Sequence, residues 1–262
     1  MMLQAAVNGD RSKADHPAVP VTEDELIRDV QQCLAAGAQE FHIHVRDIHG
    51  NPTLEPGYVD RAASAVRATG AQAAGVTTVA DIEPNLQRRL TLISKWTQPA
   101  YSSVNLCEDG AVQVMQALLS AGIGIEAGVW TTEDAETLVT CGLADRLTRI
   151  LVEPGEAQVG KADAVPLASA IHEILDRAEV EVPRLQHGDG EVTWILIEDA
   201  VRRGLDTRVG LEDTLYLPDG SRARSNADLV AAARDLGAGT GRSGPSSPVG
   251  VTGRSATRRA GR

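Results

Sequence analysis

The chain has 262 residues, of which 42% are hydrophobic and 23% charged, a composition typical of a globular protein. Its formal net charge of −11 disfavours binding to nucleic acid, which requires a positively charged surface. No apolar run approaches the roughly 20 residues of a membrane-spanning helix. We therefore expect small molecules, and neither nucleic acid nor a membrane, as partners.

The three cysteines, Cys33, Cys107 and Cys141, are odd in number and far apart in the sequence. They form neither a Cys-x-x-Cys pair nor the basis of a disulfide framework. This usage is typical of a reducing compartment, and it favours the cytoplasm.

Residues 239–262 form an Arg/Gly/Ser-rich tail with five arginines and no acidic residue. Such a segment cannot bury enough apolar surface to offset the entropy lost on ordering. We predict that residues 1–238 form one domain and that residues 239–262 are disordered. The tail is either a variable extension or a basic arm for an acidic partner.

Short apolar runs alternate with amphipathic stretches along residues 1–238, which indicates strands that alternate with helices. The predicted strands are Leu3–Asn8, Glu40–Val45, Ala71–Thr77, Tyr101–Asn105, Ile123–Val129, Leu147–Val152, Pro183–His187 and Thr207–Leu211.

Several of the intervening helices have recognisable start and stop signals. Thr22 with Glu25 and Ser225 with Asp228 have the spacing of capping boxes. Thr131 or Thr132 can cap another helix. The predicted stops are glycines that can adopt a left-handed conformation, namely Gly37, Gly122, Gly142 and Gly204.

Strict alternation of strands and helices predicts parallel strands joined by crossover helices. Eight such units in this length match a single-domain α/β fold, the (β/α)8 TIM barrel. A doubly wound open sheet is the alternative. The turn after its first strand would carry a glycine-rich phosphate-binding motif, whereas residues 8–13 read NGDRSK, with one glycine.

The stretch FHIHVRDIHG, residues 41–50, places two histidines at the end of the second predicted strand. Side chains alternate along a strand, so His42 and His44 share a face and lie about 7 Å apart. In a barrel this inner face opens into the active site, where both imidazoles could bind one metal ion. The alternative is a hydrogen-bonded core histidine. His49 is predicted to be a loop residue.

The last strand offers a third ligand in TRVGLEDT, residues 207–214. If this strand extends far enough, Arg208, Gly210 and Glu212 share one side of it. Strand eight of a closed barrel neighbours strand one, which neighbours strand two, so Glu212 or Asp213 could reach the histidines. Two imidazoles and one carboxylate leave an open position, which is typical of a catalytic site. This ligand set suits Zn²⁺ best, with Fe, Mn, Co or Ni as alternatives.

With HIHVRD and RVGLEDTL both identified, the chain resembles the β-keto acid cleavage enzymes, whose type member is the 3-keto-5-aminohexanoate cleavage enzyme. The similarity covers about residues 3–237. It includes the opening AAVNG, the HPAVPVT segment, the AAGA turn before HIHVRD, and SNADLV near the end.

The resemblance implies a zinc-dependent homo-oligomer, a dimer or a tetramer. It implies an acyltransferase that converts a β-keto acid and acetyl-CoA into acetoacetate and a new acyl-CoA. It places the metal on His42, His44 and Glu212. The implied catalytic residues are Arg208, Asp213, Thr77 and Ser103, with Asp213 as the base and Arg208 holding negative charge or orienting Asp213. A simple ion pair between Arg208 and Asp213 is the alternative.

The predicted substrate-binding positions are Asn8, Arg11, Asn105, Glu126 and His187. Arg11 stands where the type member has a glutamate, and Gly128 replaces a second acid of the type member. These two departures favour an acidic or neutral β-keto acid over an amino-substituted one. His187 either contacts substrate or caps the barrel mouth. The same two interpretations apply to Glu153, which follows strand six.

Three other functions remain open from the sequence. A metal-dependent hydrolase of the amidohydrolase type would want its histidine pair on strand one and further histidines on strands five and six. A non-haem iron oxygenase would use the same ligands, usually on an all-β scaffold. A non-catalytic barrel could bind a metal or ligand. Consumption of a β-keto acid that depends on acetyl-CoA separates the first function from these.

Overall fold

The computed structural model describes residues 1–240, which form one closed barrel of eight parallel strands in the order β1 to β8. The strands are β1 Leu3–Ala6, β2 Glu40–Ile43, β3 Ala73–Thr77, β4 Tyr101–Asn105, β5 Gly124–Val129, β6 Arg149–Val152, β7 Arg184–Gln186 and β8 Asp206–Val209. The predicted (β/α)8 barrel is confirmed, and closure of β8 onto β1 excludes the open doubly wound sheet.

A helix follows every strand and packs on the outside of the barrel. The α-helices are α1 Glu23–Ala36, α2 Pro56–Ala68, α3 Leu86–Ile93, α4 Ala111–Ser120, α5 Thr132–Thr140, α6 Lys161–Arg177, α7 Thr193–Arg203 and α8 Asn226–Asp235. Short 3-10 helices at Ala144–Arg146 and Gly190–Val192 precede β6 and α7. Across residues 1–240, no helix combines the length and hydrophobicity needed to cross a lipid bilayer.

The prediction of a disordered tail over residues 239–262 lies, apart from Gly239 and Thr240, outside the described residues. The domain boundary at residue 238 therefore stays a prediction.

Several predicted strands are longer than the observed ones. The first was predicted to reach Asn8 and the last Leu211, whereas β1 ends at Ala6 and β8 at Val209. Past the end of β1, Val7 N still donates to His42 O, after which side chains take over the bonds to the neighbouring strand. Asn8, for example, uses its side-chain amide to bond the backbone of His44.

The capping signals are confirmed at two of three sites. Thr22 and Glu25 form a complete capping box at α1, and Thr131, with Asp134, does so at α5. At α8 the Ser225 hydroxyl accepts from the backbone of Asp228, but the reciprocal bond is absent. The Asp228 carboxylate instead accepts from the backbone and guanidinium of Arg224, so the predicted second capping box is wrong.

The outward faces of the strands are apolar and fully buried beneath the helices, as Ala5, Ile43, Val76, Ile125 and Ile150 illustrate. The low aromatic content of the chain is thus compensated by branched aliphatic and alanine packing. Close-packed aliphatic side chains of this kind supply most of the free energy of folding.

The lower interior of the barrel is a polar network rather than an apolar plug. Gln4 Nε2 donates to Tyr101 Oη and to Glu126 Oε1, each at 2.9 Å. Arg149 forms ion pairs with Glu126 and Glu40. Because these charges are paired and hydrogen-bonded, their burial is tolerated, and they close the barrel below the site.

A single asparagine connects α8 to the start and end of the barrel. Asn226 Nδ2 donates to Val7 O and to Asp29 Oδ2, each at 2.8 Å, and Asn226 Oδ1 accepts from the Leu211 backbone. Burial raises the pKa of Asp29 to about 7, against the smaller opposing effect of the Asn226 hydrogen bond.

We expect Asp29→Asn to stabilise the protein at pH 8 but not at pH 4. The folded-state pKa of Asp29 lies above its unfolded value, so the folded state binds the proton more tightly and stability falls as pH rises from about 4 to about 7. Asparagine removes this dependence, with an expected gain of roughly 1–3 kcal/mol at pH 8. Urea unfolding at both pH values measures it. Glu173→Gln, an exposed carboxylate on α6, is the control. An equal effect of Asp29→Asn at both pH values would contradict the argument.

Candidate active site

A cavity of about 430 Å³ opens at the carboxyl ends of the barrel strands. This is the end at which barrel enzymes carry their active sites. The polar side chains of its wall come from the ends of all eight strands or the loops after them; they are Asp10, His42, His44, Thr77, Asp81, Ser103, Asn105, Trp130, Glu153, His187, Asp189, Arg208, Glu212 and Asp213.

His42, His44 and Glu212 converge on one side of this cavity, as the two motifs predict. Glu212 Oε1 lies 3.5 Å from His42 Nε2 and 3.7 Å from His44 Nε2. One ligand atom from each residue lies within 4.8 Å of the other two, and within residues 1–240 these three form the one such group of metal-ligating side chains. Ligands at 2.0–2.1 Å from a tetrahedral ion are separated by roughly 3.4 Å, so the observed spacing fits a bound cation.

Glu212 reaches the histidines from a turn rather than from the strand. The expected alternation along an extended strand eight is therefore wrong, because β8 ends at Val209. At Gly210 an added Cβ would lie 1.8 Å from Ala6 O, so only glycine allows β1 to approach this closely. The chain then turns, and Glu212 N donates to Ala6 O at 3.2 Å. Gly9 faces the Glu212 side chain from the other side.

Asn8 positions His44 rather than lining the cavity. Its Oδ1 accepts from His44 N and its Nδ2 donates to His44 O, both at 2.9 Å. These bonds replace the strand pairing that β2 loses after Ile43. The prediction that Asn8 binds substrate is not supported by this placement, since both ends of its amide are occupied by protein.

Arg208 is buried and joins the two carboxylates of the motif. Its Nη2 donates to Glu212 Oε1 and to Asp213 Oδ1, each at 2.7 Å, and its Nε donates to Asp213 Oδ1 at 3.2 Å. Burial alone would raise the pKa of Glu212, but Arg208 and the two histidines hold it at about 2. For Asp213, burial outweighs Arg208 and raises the pKa.

The histidines of the cavity are neutral. Burial lowers the pKa of His42 to about 3 and of His187 to about 4, and it also lowers the pKa of His44. A neutral imidazole has a free lone pair for a metal ion. Within residues 1–240, His42 Nδ1 and Glu212 Oε2 are buried without a hydrogen-bond partner. This unsatisfied ligand set fits a site that binds a cation.

Most of the other predicted site residues do line the cavity. Thr77 and Ser103 are register partners on β3 and β4, at adjacent positions of the wall. Asn105 ends β4, and its Nδ2 donates to Glu108 Oε1 at 2.9 Å. His187 follows β7, with Nε2 at 2.8 Å from Glu153 Oε2 and Nδ1 at 3.8 Å from Asp213 Oδ1.

Two predicted substrate contacts lie elsewhere. Glu126 belongs to the polar network below the cavity, because the inward position above it on β5 is Gly128. Arg11 lies beside the turn after β8, where its Nε donates to Glu212 O at 3.3 Å, and it is not part of the cavity wall. Neither residue is placed to contact a substrate in the cavity.

Comparison with known proteins identifies the family. A family model described as beta-keto acid cleavage enzyme matches residues 1–247. The chain belongs to this family. The match confirms the resemblance drawn from the two motifs, and it extends past residue 238, where the sequence predicted the barrel to end.

The names of curated relatives of this β-keto acid cleavage enzyme agree with the family match. A 3-keto-5-aminohexanoate cleavage enzyme from Fusobacterium nucleatum is 24% identical over 253 residues, which cover 88% of each chain. A 3-oxoadipate:acetyl-CoA acetyltransferase from Cupriavidus necator is 35% identical over 78 residues, 29% of this chain and 26% of that protein. Among solved structures, a ternary complex of ObcA with a C4-CoA adduct and oxalate matches with a TM-score of 0.66 at 16% identity. The match covers 84% of this chain and 63% of ObcA, and it shows the shared barrel fold.

Four polar or aromatic residues of this family member's cavity were missed in the sequence, namely Asp10, Asp81, Trp130 and Asp189. Trp130 directly follows β5, and Asp81 and Asp189 lie three or four residues after strand ends. The sequence signal that could have identified them is their position just after the carboxyl end of a predicted strand. It was applied only to residues that matched a motif, so these acids were overlooked.

Proposed function

We propose that the chain catalyses a metal-dependent exchange in which a β-keto acid and acetyl-CoA give acetoacetate and a new acyl-CoA. The observation that carries the proposal is the convergence of His42, His44 and Glu212 at the mouth of a barrel that belongs to this family. The names of two relatives support it, one for cleavage of a keto acid and one for transfer from acetyl-CoA.

The proposed metal ligands are His42, His44 and Glu212, with zinc as the metal that best matches two imidazoles and a carboxylate. When bound, the ion would supply a Lewis acid that polarises the ketone of the substrate and stabilises negative charge on its oxygen. The protein prepares this site in two ways. It keeps the imidazoles neutral by burial, and it fixes Glu212 through Arg208.

The remaining roles fall to side chains around the ligands. Asp213 is the proposed general base, since its buried carboxylate lies at the cavity wall and is held by Arg208. Arg208 is proposed to orient Asp213 and to stabilise the negative charge of the enolate left by carbon–carbon cleavage. Thr77 and Ser103 offer hydroxyl donors for the substrate carboxylate, and Asn105 and His187 offer further polar contacts.

Incubation of the purified protein with a six-carbon β-keto acid and acetyl-CoA is expected to give acetoacetate and a new acyl-CoA, detected by mass spectrometry. A strong chelator should abolish the reaction, and added Zn²⁺ should restore it. A hydrolase would release free acids without acetyl-CoA, and a non-catalytic barrel would bind without turnover. Unchanged turnover in the chelator would contradict the metal-dependent mechanism.

We also propose a homo-oligomer, a dimer or a tetramer, that acts in the cytoplasm. The compartment rests on cysteine usage, since Cys33, Cys107 and Cys141 are all free thiols. The oligomer rests on the family resemblance. Sedimentation analysis of the full chain tests it, and a monomer at micromolar concentration would contradict it.

A further inference from the structure

A buried ion pair lies behind the part of the cavity wall that β3 and β4 supply. Arg89 of α3 is 2% exposed, and its Nη1 donates to Glu108 Oε2 at 3.0 Å. Neither residue lines the cavity. An arginine is rarely buried so completely unless its charge is paired, and pairing it away from the proposed reaction raises the question of what the pair holds in place.

Arg89 ties the loops after β3 and β4 to the helix between them. Its Nη1 also donates to Thr78 O at 3.4 Å, and its Nη2 donates to Asp109 O at 3.1 Å. These two carbonyls follow the strand ends at which Thr77 and Asn105 line the cavity. The guanidinium thereby fixes the two loops relative to each other, just outside the wall.

Glu108 connects the same two loops through its carboxylate. Besides Arg89, its Oε2 accepts from Ala80 N, in the loop after β3, at 2.9 Å. Its Oε1 accepts from Asn105 Nδ2, also at 2.9 Å. The Glu108 backbone N–H donates to Asn105 O at 3.1 Å, so Glu108 holds Asn105 by its main chain and by its side chain.

The bond to Glu108 determines which end of the Asn105 amide faces the cavity. Burial raises the pKa of Glu108, whereas the Ala80 hydrogen bond and the charge of Arg89 oppose this and favour the ionised form. An ionised carboxylate accepts hydrogen bonds and donates none, so the amide must turn Nδ2 toward it. Oδ1 is then directed at β5, where an added Cβ on Gly128 would lie 2.8 Å from it.

We propose that Glu108, held by Arg89, is a positioning residue that sets the orientation of the Asn105 amide at the cavity wall. It acts through Asn105, which then presents an oxygen as hydrogen-bond acceptor to the substrate. This inference rests on the proposed function. Orientation matters to the rate because a displacement of about 1 Å in a substrate-holding group can cost about 100-fold.

A double-mutant cycle tests the coupling of Glu108 to Asn105. Glutamine at position 108 offers one acceptor oxygen and an amide nitrogen, so Asn105 is free to turn the other way. With acetyl-CoA and the best substrate among 3-keto-5-aminohexanoate, 3-oxohexanoate and 3-oxoadipate, Glu108→Gln should lower kcat/KM about 10–100-fold. Adding Glu108→Gln to Asn105→Ala should lower it by no more than about twofold further. Metal content should remain that of wild type, since Glu108 contacts no proposed ligand.

Variants of Arg89 test the other half of the pair. Arg89→Met should lower kcat/KM in the same direction, and Arg89→Lys should recover part of the loss, because lysine keeps a charged donor for Glu108 but not the forked geometry. Arg88→Met is the matched control. Arg88 is the neighbouring residue of the same helix, its side chain is 63% exposed, and it pairs with Glu83 and Glu55 at the surface. This control should keep the wild-type rate.

Additive losses in the double variant, or wild-type kcat/KM in Glu108→Gln, would overturn the role of Glu108. Should Glu108→Gln fail to fold, Glu108→Asp enters the same cycle with the same expectation, since it keeps the charge but is one methylene too short to hold all three donors.

Failure of the proposed function is recognised separately, as absence of turnover of all three keto acids by wild type. Nuclear magnetic resonance then judges the positioning without a substrate. The side-chain amide hydrogens of Asn105, assigned by their loss in Asn105→Ala, should exchange with solvent at least about tenfold faster in Glu108→Gln than in wild type. Equal exchange in the two proteins would contradict the proposal.

Discussion

His42→Ala is expected to lose bound metal and to reduce kcat/KM by more than about 100-fold. Loss of a residue that merely supports a metal ligand typically costs 10–100-fold, so removal of a ligand should cost more. His42 is fully enclosed, with Nε2 directed at Glu212 Oε1, and no other imidazole in residues 1–240 is placed to substitute for it at this group. Metal analysis of the purified variant and steady-state kinetics at saturating acetyl-CoA measure both effects.

The matched control is His49→Ala, an exposed histidine in the loop that follows the same strand. It should keep wild-type metal content and rate. Glu212→Gln tests the third ligand, since the amide oxygen can still accept from Arg208 while the charge that attracts a cation is gone. Full metal content and full activity in His42→Ala would refute the assignment of this group as a metal site.

Arg208→Ala is expected to destabilise the fold by about 3–5 kcal/mol and to abolish activity. The guanidinium is the direct partner of two buried carboxylates, and removing one partner of a buried pair leaves an uncompensated charge. The pKa of Glu212 would then rise from about 2, because its main favourable interaction is lost. Urea unfolding in the presence of a chelator isolates this effect from metal binding.

Arg224→Ala is the comparison, because Arg224 and Asp228 form an ion pair with the same four-residue spacing as Arg208 and Glu212. The Arg224 side chain is 87% exposed, so its removal should cost less than about 1 kcal/mol. Arg208→Lys should fall between the two, since it keeps the charge but loses the forked geometry. Equal stability of Arg208→Ala and wild type would show that the buried carboxylates are compensated in another way.

The barrel was predictable because alternation of apolar strands and capped helices is a local signal that repeats eight times. The His42 and His44 pair was equally accessible, since a strand of period two fixes both on one face. A motif identified Glu212 as a ligand. The backbone path that brings it to the histidines was not predicted, because the turn at Gly210 depends on contact with Ala6, more than 200 residues earlier.

The roles of Asn8, Arg11 and Glu126 depended on where each strand stops and which residue lies above it. Glu126 lies one layer of inward-facing side chains below the cavity. Its depth in the barrel follows from its contacts with Gln4 and Arg149, which only the structure shows. Sequence patterns assign a residue to a face of a strand, but they do not give its depth in the barrel.

The metal ligands of β2 and of the turn after β8 are both anchored to the segment that lies between them, with Asn8 holding the backbone of His44 and Ala6 O accepting from the amide of Glu212. The integrity of the site is thereby tied to the first eight residues, although none of them is a proposed ligand. Local fraying of this segment would separate the histidines from the glutamate while most of the barrel remained intact. Amide hydrogen exchange at Glu212 would therefore report directly on how often the site comes apart.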